Sequence, residues 1–327
     1  MGGIVWQEGS GGSSGGTEVM GRELERRLPA ELLDRFQIHL TQLSPLDPRK
    51  VRILWCHLHP QAPELAHLAD GGWRKFHRIV FVSNWQAQAF IQRFGIPWSH
   101  CRVIPNAIGP IAVGGNRFDP VPPDQPIRLV YTPTPSRGLA ILHAVFGKIC
   151  EERDDVMLDV FSSFRLYGWD SRDELFQELF DALRRNPRVS YHGTVPNQDL
   201  RGALADSHIF AYPSVYPETS CLCLMEAMSA GLACVHPNYG ALYETAANWT
   251  MMYQWQDDIN IHAAVFYRML TAVINALREG HRGLLDRLAA QKAYADTHYN
   301  WDRRAAQWEE FLRDIGDPLA QGSGIVA

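Results

Sequence analysis

Two carboxylates, Glu218 and Glu226, bracket seven small, uncharged residues within the stretch "YPSVYPETSCLCLMEAMSAG" (212–231). Pro213 and Pro217 stop regular structure on either side of Tyr216, so Glu218 belongs to a loop. Thr219 or Ser220 can cap the helix that follows, "CLCLMEAMSA", which Gly231 closes. Glu226 then falls in the second turn. One carboxylate is displayed at a loop tip and the other reaches up from the side of a helix. A carboxylate accepts two hydroxyl hydrogen bonds at once, as an acidic residue does on ribose in dinucleotide folds. Free amides at the helix start, with a dipole of about half a charge, favour a pyrophosphate. Small intervening residues allow close backbone approach. The spacing therefore suits two hydroxyl-rich sugars joined by a pyrophosphate. The plainer alternative is a dipole-favoured glutamate and a solvated one.

Other chemistry-bearing residues lie at element ends. Arg137 precedes Gly138 at a strand-to-helix turn, and His57 and His59 end the apolar run "KVRILWCHLHP". "EGSGGSSGG" leads into "TEVMGRELERRL", where Thr17 is an N-cap candidate. That glycine-rich run reads either as an engineered linker or as a strand–loop–helix turn that exposes backbone amides to an anion. Asn106, after Pro105, has the character of a turn former. Asp154-Asp155 and Asp257-Asp258 are adjacent pairs in polar surroundings and read as solvated charges.

The elements that must position these groups alternate. "GGIVWQ", "FQIHLTQL", "KVRILWCHLHP", "FHRIVFVSN" and "CRVIPNAI" read as strands, and "NWQAQAFIQRF" as a helix closed by Gly95. The Gly- and Pro-rich segment 109–126 marks a boundary, after which the alternation restarts as a six-stranded doubly wound pattern. A helical tail follows from about 260 to 315. This predicts an α/β chain of two Rossmann-like domains facing a cleft, 1–123 and 124–300, with 301–327 a C-terminal helix returning to the first domain.

Composition narrows the function. At 327 residues, 46% hydrophobic and 20% charged, the chain is an ordinary folded protein. A net charge of −5 argues against nucleic acid as a partner. Residues 1–123 carry 13 Lys and Arg against 10 Asp and Glu, the remainder 18 against 26, so the first half could favour an anionic acceptor or a membrane surface. No apolar run is long enough to span a bilayer and no signal peptide is visible. Six cysteines without metal spacing fit reduced thiols and a cytoplasmic location. An oxidoreductase is disfavoured, since no GxGxxG follows a strand.

The Glu218-x7-Glu226 spacing within "PSVYPETSCLCLMEAMSAGLACV" resembles the signature of retaining glycosyltransferases, notably family 4, which have the GT-B fold. "VSYHGTVPNQDLRGALADSHIFAYPS" is similar to that family's approach to the same site. "VIPNAI", "FVSNWQAQAFIQRFGI" and "YTPTPSRGLAIL" resemble further family stretches. The likeness covers roughly residues 50–310 and is strongest over 127–245.

The resemblance implies a hexosyltransferase that moves a sugar from a UDP- or GDP-linked donor to an acceptor hydroxyl with retention. The donor is a co-substrate, and no cofactor or metal is expected. In this likeness Arg137 reaches the donor pyrophosphate. A second cation usual a few residues earlier is missing from "YTPTPS", so backbone amides and the hydroxyls of Thr134 and Ser136 would substitute. Glu226 would bind the ribose, Glu218 the transferred sugar, and the amides of Thr219, Ser220 and Cys221 the sugar or phosphate. His57, or its neighbour His59, would face the donor sugar. Gly15 and Gly16 would let the first loop approach the phosphates, and His192-Gly193 would lie near the base. Trp301 and Trp308 would pack between domains. The acceptor could be a glycan, a lipid-linked compound or a small molecule, with peripheral membrane contact allowed and the protein a monomer or a homodimer. The competing reading is an inactive nucleotide-sugar or glycan-binding module of the same fold, motivated by the lean first domain.

Overall fold

The computed structural model describes residues 3–6, 15–40 and 45–315. Most of the "EGSGGSSGG" run, the end of "FQIHLTQL" and the tail beyond 315 lie outside the described residues. By internal packing the chain falls into two units. One takes in residues up to 107, 218–220 and those from 299 on; the other takes in 108–217 and 221–298.

The first unit holds β1 (Gly3–Val5), α1 (Gly16–Glu25), α2 (Ala30–Leu33), β2 (Phe36–Leu40), β3 (Val51–Cys56), β4 (Arg78–Phe81), α3 (Asn84–Phe94) and β5 (Cys101–Val103). Its five strands pair in chain order, all parallel. Such strands are covered on both faces and read as continuous apolar runs, and "ILWC" of β3 is fully buried. A core of Leu54, Phe76, Ile79, Phe81 and Phe90 packs α3 against the sheet. Ser83 caps α3 by accepting from the Gln86 amide, and Gly95 ends it at φ +64°. Between β3 and β4 lies a stretch the sequence pattern does not reveal, a 3₁₀ segment Pro63–Lys75 broken at Ala69–Gly71 by left-handed backbone at Asp70 and Gly71.

The second unit holds β6 (Ile127–Tyr131), α4 (Leu139–Glu152), β7 (Val156–Val160), α5 (Asp170–Asp173), α6 (Gln177–Arg185), β8 (Val189–Tyr191), α7 (Asn197–Asp206), β9 (Ile209–Ala211), α8 (Leu222–Ser229), β10 (Ala233–Pro237), α9 (Leu242–Ala246), β11 (Met251–Tyr253), α10 (Ile259–Arg278) and α11 (Arg282–His298). Its six parallel strands are ordered β11-β10-β9-β6-β7-β8. The chain winds outward from β6 in one direction and from β9 in the other. The topological switch point therefore falls between β6 and β9, paired as Leu129↔Ile209 and Val130↔Phe210. The segment after 107 is anchored to this unit, with the Ile111 amide donating to Ser229 Oγ at 2.9 Å and Lys292 reaching the Ile111 carbonyl at 2.6 Å.

The last helix, α12 (Trp301–Asp314), belongs to the first unit. Trp308 is 1% exposed and meets Trp55 of β3 edge-on at 4.8 Å. Trp301 lies under the Arg27 guanidinium, and buried Arg304 donates to the Asn106 carbonyl at 3.3 Å. The acidic pairs are more engaged than solvated charges would be. Asp155 is gripped by Arg153 and Arg278, which hold its carboxyl down at about 2. Asp258 caps α10, and Asp257 accepts from the Trp255 indole.

Candidate active site

In a doubly wound sheet, ligands bind beyond the carboxyl ends of the strands at the switch point. The loops leaving β6 and β9 therefore define the place to look, and the second unit brings them together. After β6 the chain makes a 3₁₀ turn, Pro135–Arg137, and starts α4 through Gly138 at φ +118°. A Cβ at Gly138 would stand 2.1 Å from the carbonyl oxygen of Pro213, in the loop after β9. Only glycine satisfies both the backbone conformation and this approach. Gly138→Ala is accordingly expected to destabilise the protein by about 2 kcal/mol or more, read as a lower denaturation midpoint.

That approach places Arg137 over the ring of Tyr216, the guanidinium carbon 3.6 Å from the ring centroid. The stack is worth about 1 kcal/mol and fixes where the charge points. Ser136 is exposed at the tip of the turn. The Thr134 carbonyl accepts from the Tyr131 hydroxyl at 2.9 Å and from the Arg137 amide at 3.0 Å, which locks the turn. Thr132, unnoticed in the sequence, has a covered hydroxyl with no hydrogen-bond partner among the described residues.

Glu226 sits on α8, whose N-cap is Cys221 rather than Thr219 or Ser220, and no side chain caps it. The first-turn amides of α8 are thus left to other partners. The Glu226 side chain is 18% exposed, and burial pushes its carboxyl up to about 7. Arg201 of α7 works against that shift, its guanidinium 3.8 Å from Glu226 Oε1. Arg201 is a functional candidate the sequence reading missed, since nothing in "NQDLRGALAD" ties it to a residue 25 positions on. At the ends of β7 and β8, His192 stacks flat on Phe161 at 4.3 Å and meets Asp159 at 3.0 Å. Gly193 follows at φ +67°.

The remaining candidates belong to the first unit. His57 follows β3, and burial pulls its imidazole down to about 3, so it is neutral at physiological pH. Its carbonyl accepts from Thr219 Oγ1 at 2.8 Å, which brings Glu218, Thr219 and Ser220 beside it. Thr219 spends its hydroxyl there and does not cap α8. His59 packs against Trp85. Asn106 is buried, its backbone held by Arg304 as described above. Gly15 is the N-cap of α1 and Gly16 its first residue, so Thr17 is inside the helix and not its cap; neither end residue brings a side-chain cap to the amides. Gly15 and Gly16 lie in the first unit.

Residues 129–266 match the family described as glycosyl transferases group 1. The chain is 25% identical over 171 residues to a subunit of the human phosphatidylinositol N-acetylglucosaminyltransferase, covering 51% of this chain and 33% of that protein. It is also 25% identical over 189 residues to the GPI3 subunit of the Saccharomyces cerevisiae enzyme, covering 56% and 40%. The chain thus spans well under half the length of these curated relatives. Among solved structures, a glycosyltransferase from Rickettsia africae superposes with a TM-score of 0.63 at 14% identity, over 93% of this chain and 83% of that one. Anabaena HepE in complex with UDP-glucose gives 0.61 at 14% identity, over 92% and 84%. At such identities the structures speak for the fold alone. Residues 129–266 therefore resemble the glycosyl transferases group 1, on a chain whose two parallel sheets have the GT-B architecture.

Proposed function

We propose that the protein is a retaining glycosyltransferase that transfers a sugar from a nucleoside diphosphate sugar to an acceptor hydroxyl. The observation that carries this reading is the convergence, at the switch point of the second unit, of Arg137 on its Tyr216 stack with the loop that leads into uncapped α8 and Glu226. The ribose hydroxyls donate to Glu226, and the diphosphate takes the α8 amides and the Arg137 guanidinium. As the glycosidic bond breaks, negative charge builds on the leaving diphosphate. Arg137 and the amides are already aimed at it, so no reorganisation is needed. His57 and the Glu218–Ser220 segment are assigned to the transferred sugar. The neutral imidazole can donate or accept one hydrogen bond there without placing a second positive charge beside an oxocarbenium-like centre.

Arg137 is proposed to take the role a divalent cation would otherwise fill, so transfer should be metal-independent. Addition of EDTA is expected to leave the rate unchanged, and a loss restored by Mg²⁺ or Mn²⁺ would contradict that part of the reading. UDP is the favoured nucleotide, because HepE, a structural neighbour, is described in complex with UDP-glucose. For the acceptor, the surplus of Lys and Arg over Asp and Glu in residues 1–123, 13 against 10, favours a compound bearing phosphate or another anion.

The test is a thermal-shift panel of UDP- and GDP-linked sugars, followed by assay of the responsive donor for diphosphate release with candidate acceptors. A matched donor at a hundred times its dissociation constant should add about 2.7 kcal/mol of stability. Binding without any transfer or hydrolysis would instead point to an inactive nucleotide-sugar-binding module. No response to any nucleotide sugar would overturn the proposal.

A further inference from the structure

We propose that Arg201 is a positioning residue for Glu226, holding its carboxylate aimed and charged toward the donor nucleotide. The inference rests on the donor-binding reading of Glu226 given above. The Arg201 guanidinium is committed in two directions. One amino group donates to the carbonyls of Gly109 and Pro110, at 3.0 and 2.6 Å. The other stands 3.8 Å from Glu226 Oε1. That separation is too long for a strong hydrogen bond but short enough for a large Coulomb interaction away from bulk water. The carboxylate is therefore charge-matched while its lone pairs stay open for hydroxyl donors. A bidentate pair would have consumed them.

Among the described residues no other group takes this part. Besides α7, the elements packed most extensively on α8 are α9, α11 and β10. On α11, Lys292 and Asp296 pair with each other at 2.9 Å and engage Ser229 at the far end of α8. On β10, His236 is buried and held down at about 4, hydrogen-bonded to Thr250. On α9, the Glu244 carboxylate accepts from the neighbouring Tyr243 hydroxyl at 3.5 Å. Arg201 is the charge that counters the burial of Glu226. With the carboxyl poised near neutrality, the fraction ionised at pH 7 depends on that guanidinium.

The test is calorimetric titration of the full chain with UDP and with GDP from pH 6 to pH 9, for the wild type, R201Q, R201K, E226Q and the double variant. In the wild type, affinity is expected to rise through about pH 7 and then level. In R201Q the midpoint is expected to move up by about one unit. That appears as an about fivefold loss at pH 7 that disappears near pH 9. In the E226Q background, R201Q is expected to add no further loss. A loss in R201Q that is equal at every pH, or that adds to E226Q, would mean that Arg201 only braces the 109–110 segment, and the proposal would be wrong. If R201Q does not fold, R201K carries the test, because a point charge cannot hold both carbonyls and the carboxylate. Its midpoint should also move up, by less, and an unmoved midpoint overturns the proposal. Should E226Q bind UDP and GDP as well as the wild type does, the reading of Glu226 itself fails. Should E226Q lose binding while R201Q keeps the wild-type profile, only the role of Arg201 fails.

Discussion

Arg137→Ala is expected to slow sugar transfer about a hundred- to a thousand-fold at saturating donor, the loss that follows removal of one preorganised donor to a developing anion. The effect should fall on turnover. In the ground state the diphosphate already carries its charges and is shared among several amides. In the transition state new charge appears on the leaving oxygen, and only interactions that strengthen there raise the rate. In the proposed reading Arg137 serves this role with its backbone fixed by the 3₁₀ turn, its position by Gly138 against Pro213, and its guanidinium by Tyr216. Arg137→Lys should recover little, since an ammonium neither stacks on the ring as a plane nor presents a fork to two phosphate oxygens. Steady-state diphosphate release with the responsive donor measures both constants. A variant that loses affinity but keeps its turnover would reassign Arg137 to binding.

Glu226→Gln should show the opposite pattern, with donor binding weakened about 10- to 100-fold, as for charge-assisted hydrogen bonds to two hydroxyls. It should also lose the wild-type dependence on pH. The same substitution carries a stability signature of defined sign. The folded carboxyl sits near 7, above its ordinary 4.5, so the native state holds its proton more tightly than the unfolded chain does. Stability is full below about 4.5 and falls as pH rises toward 7, because folding must bury an ionised group. Glu226→Gln removes that cost. The variant is expected to be more stable than the wild type by roughly 2–3 kcal/mol at pH 8 and equal to it near pH 4. Denaturation midpoints at the two pH values check this. A protein that gains stability while losing ligand affinity is what a carboxylate buried for function predicts.

Much of the architecture was legible because parallel strands announce themselves as apolar runs and their helices as periodic ones. "NQDLRGALAD" coincides with α7, and the glycine after "NWQAQAFIQRF" is the left-handed residue that ends α3. Structure decided by contacts rather than by pattern was not legible. The segment Pro63–Lys75 buries Leu65, Leu68 and Trp73 across a kink, so no single period links them. β11 is three residues, "MMY", recognisable as a strand only through its pairing with β10. Caps were misplaced for a related reason. Thr219 is a good capping residue by type, yet its hydroxyl has a better offer in the carbonyl of His57. At the candidate site, proline and glycine spacing marked the loops leaving β6 and β9, because turns are written in local chemistry. Arg201 was invisible, because its distance to Glu226 exists only once α7 and α8 are packed.

The most direct measurement is a crystal structure of the protein with UDP or GDP bound. Ribose hydroxyls are expected on the Glu226 carboxylate, with the diphosphate at the first-turn amides of α8 and within reach of the Arg137 guanidinium. A nucleotide seated elsewhere, with Glu226 and Arg137 untouched, would contradict the donor-site assignment.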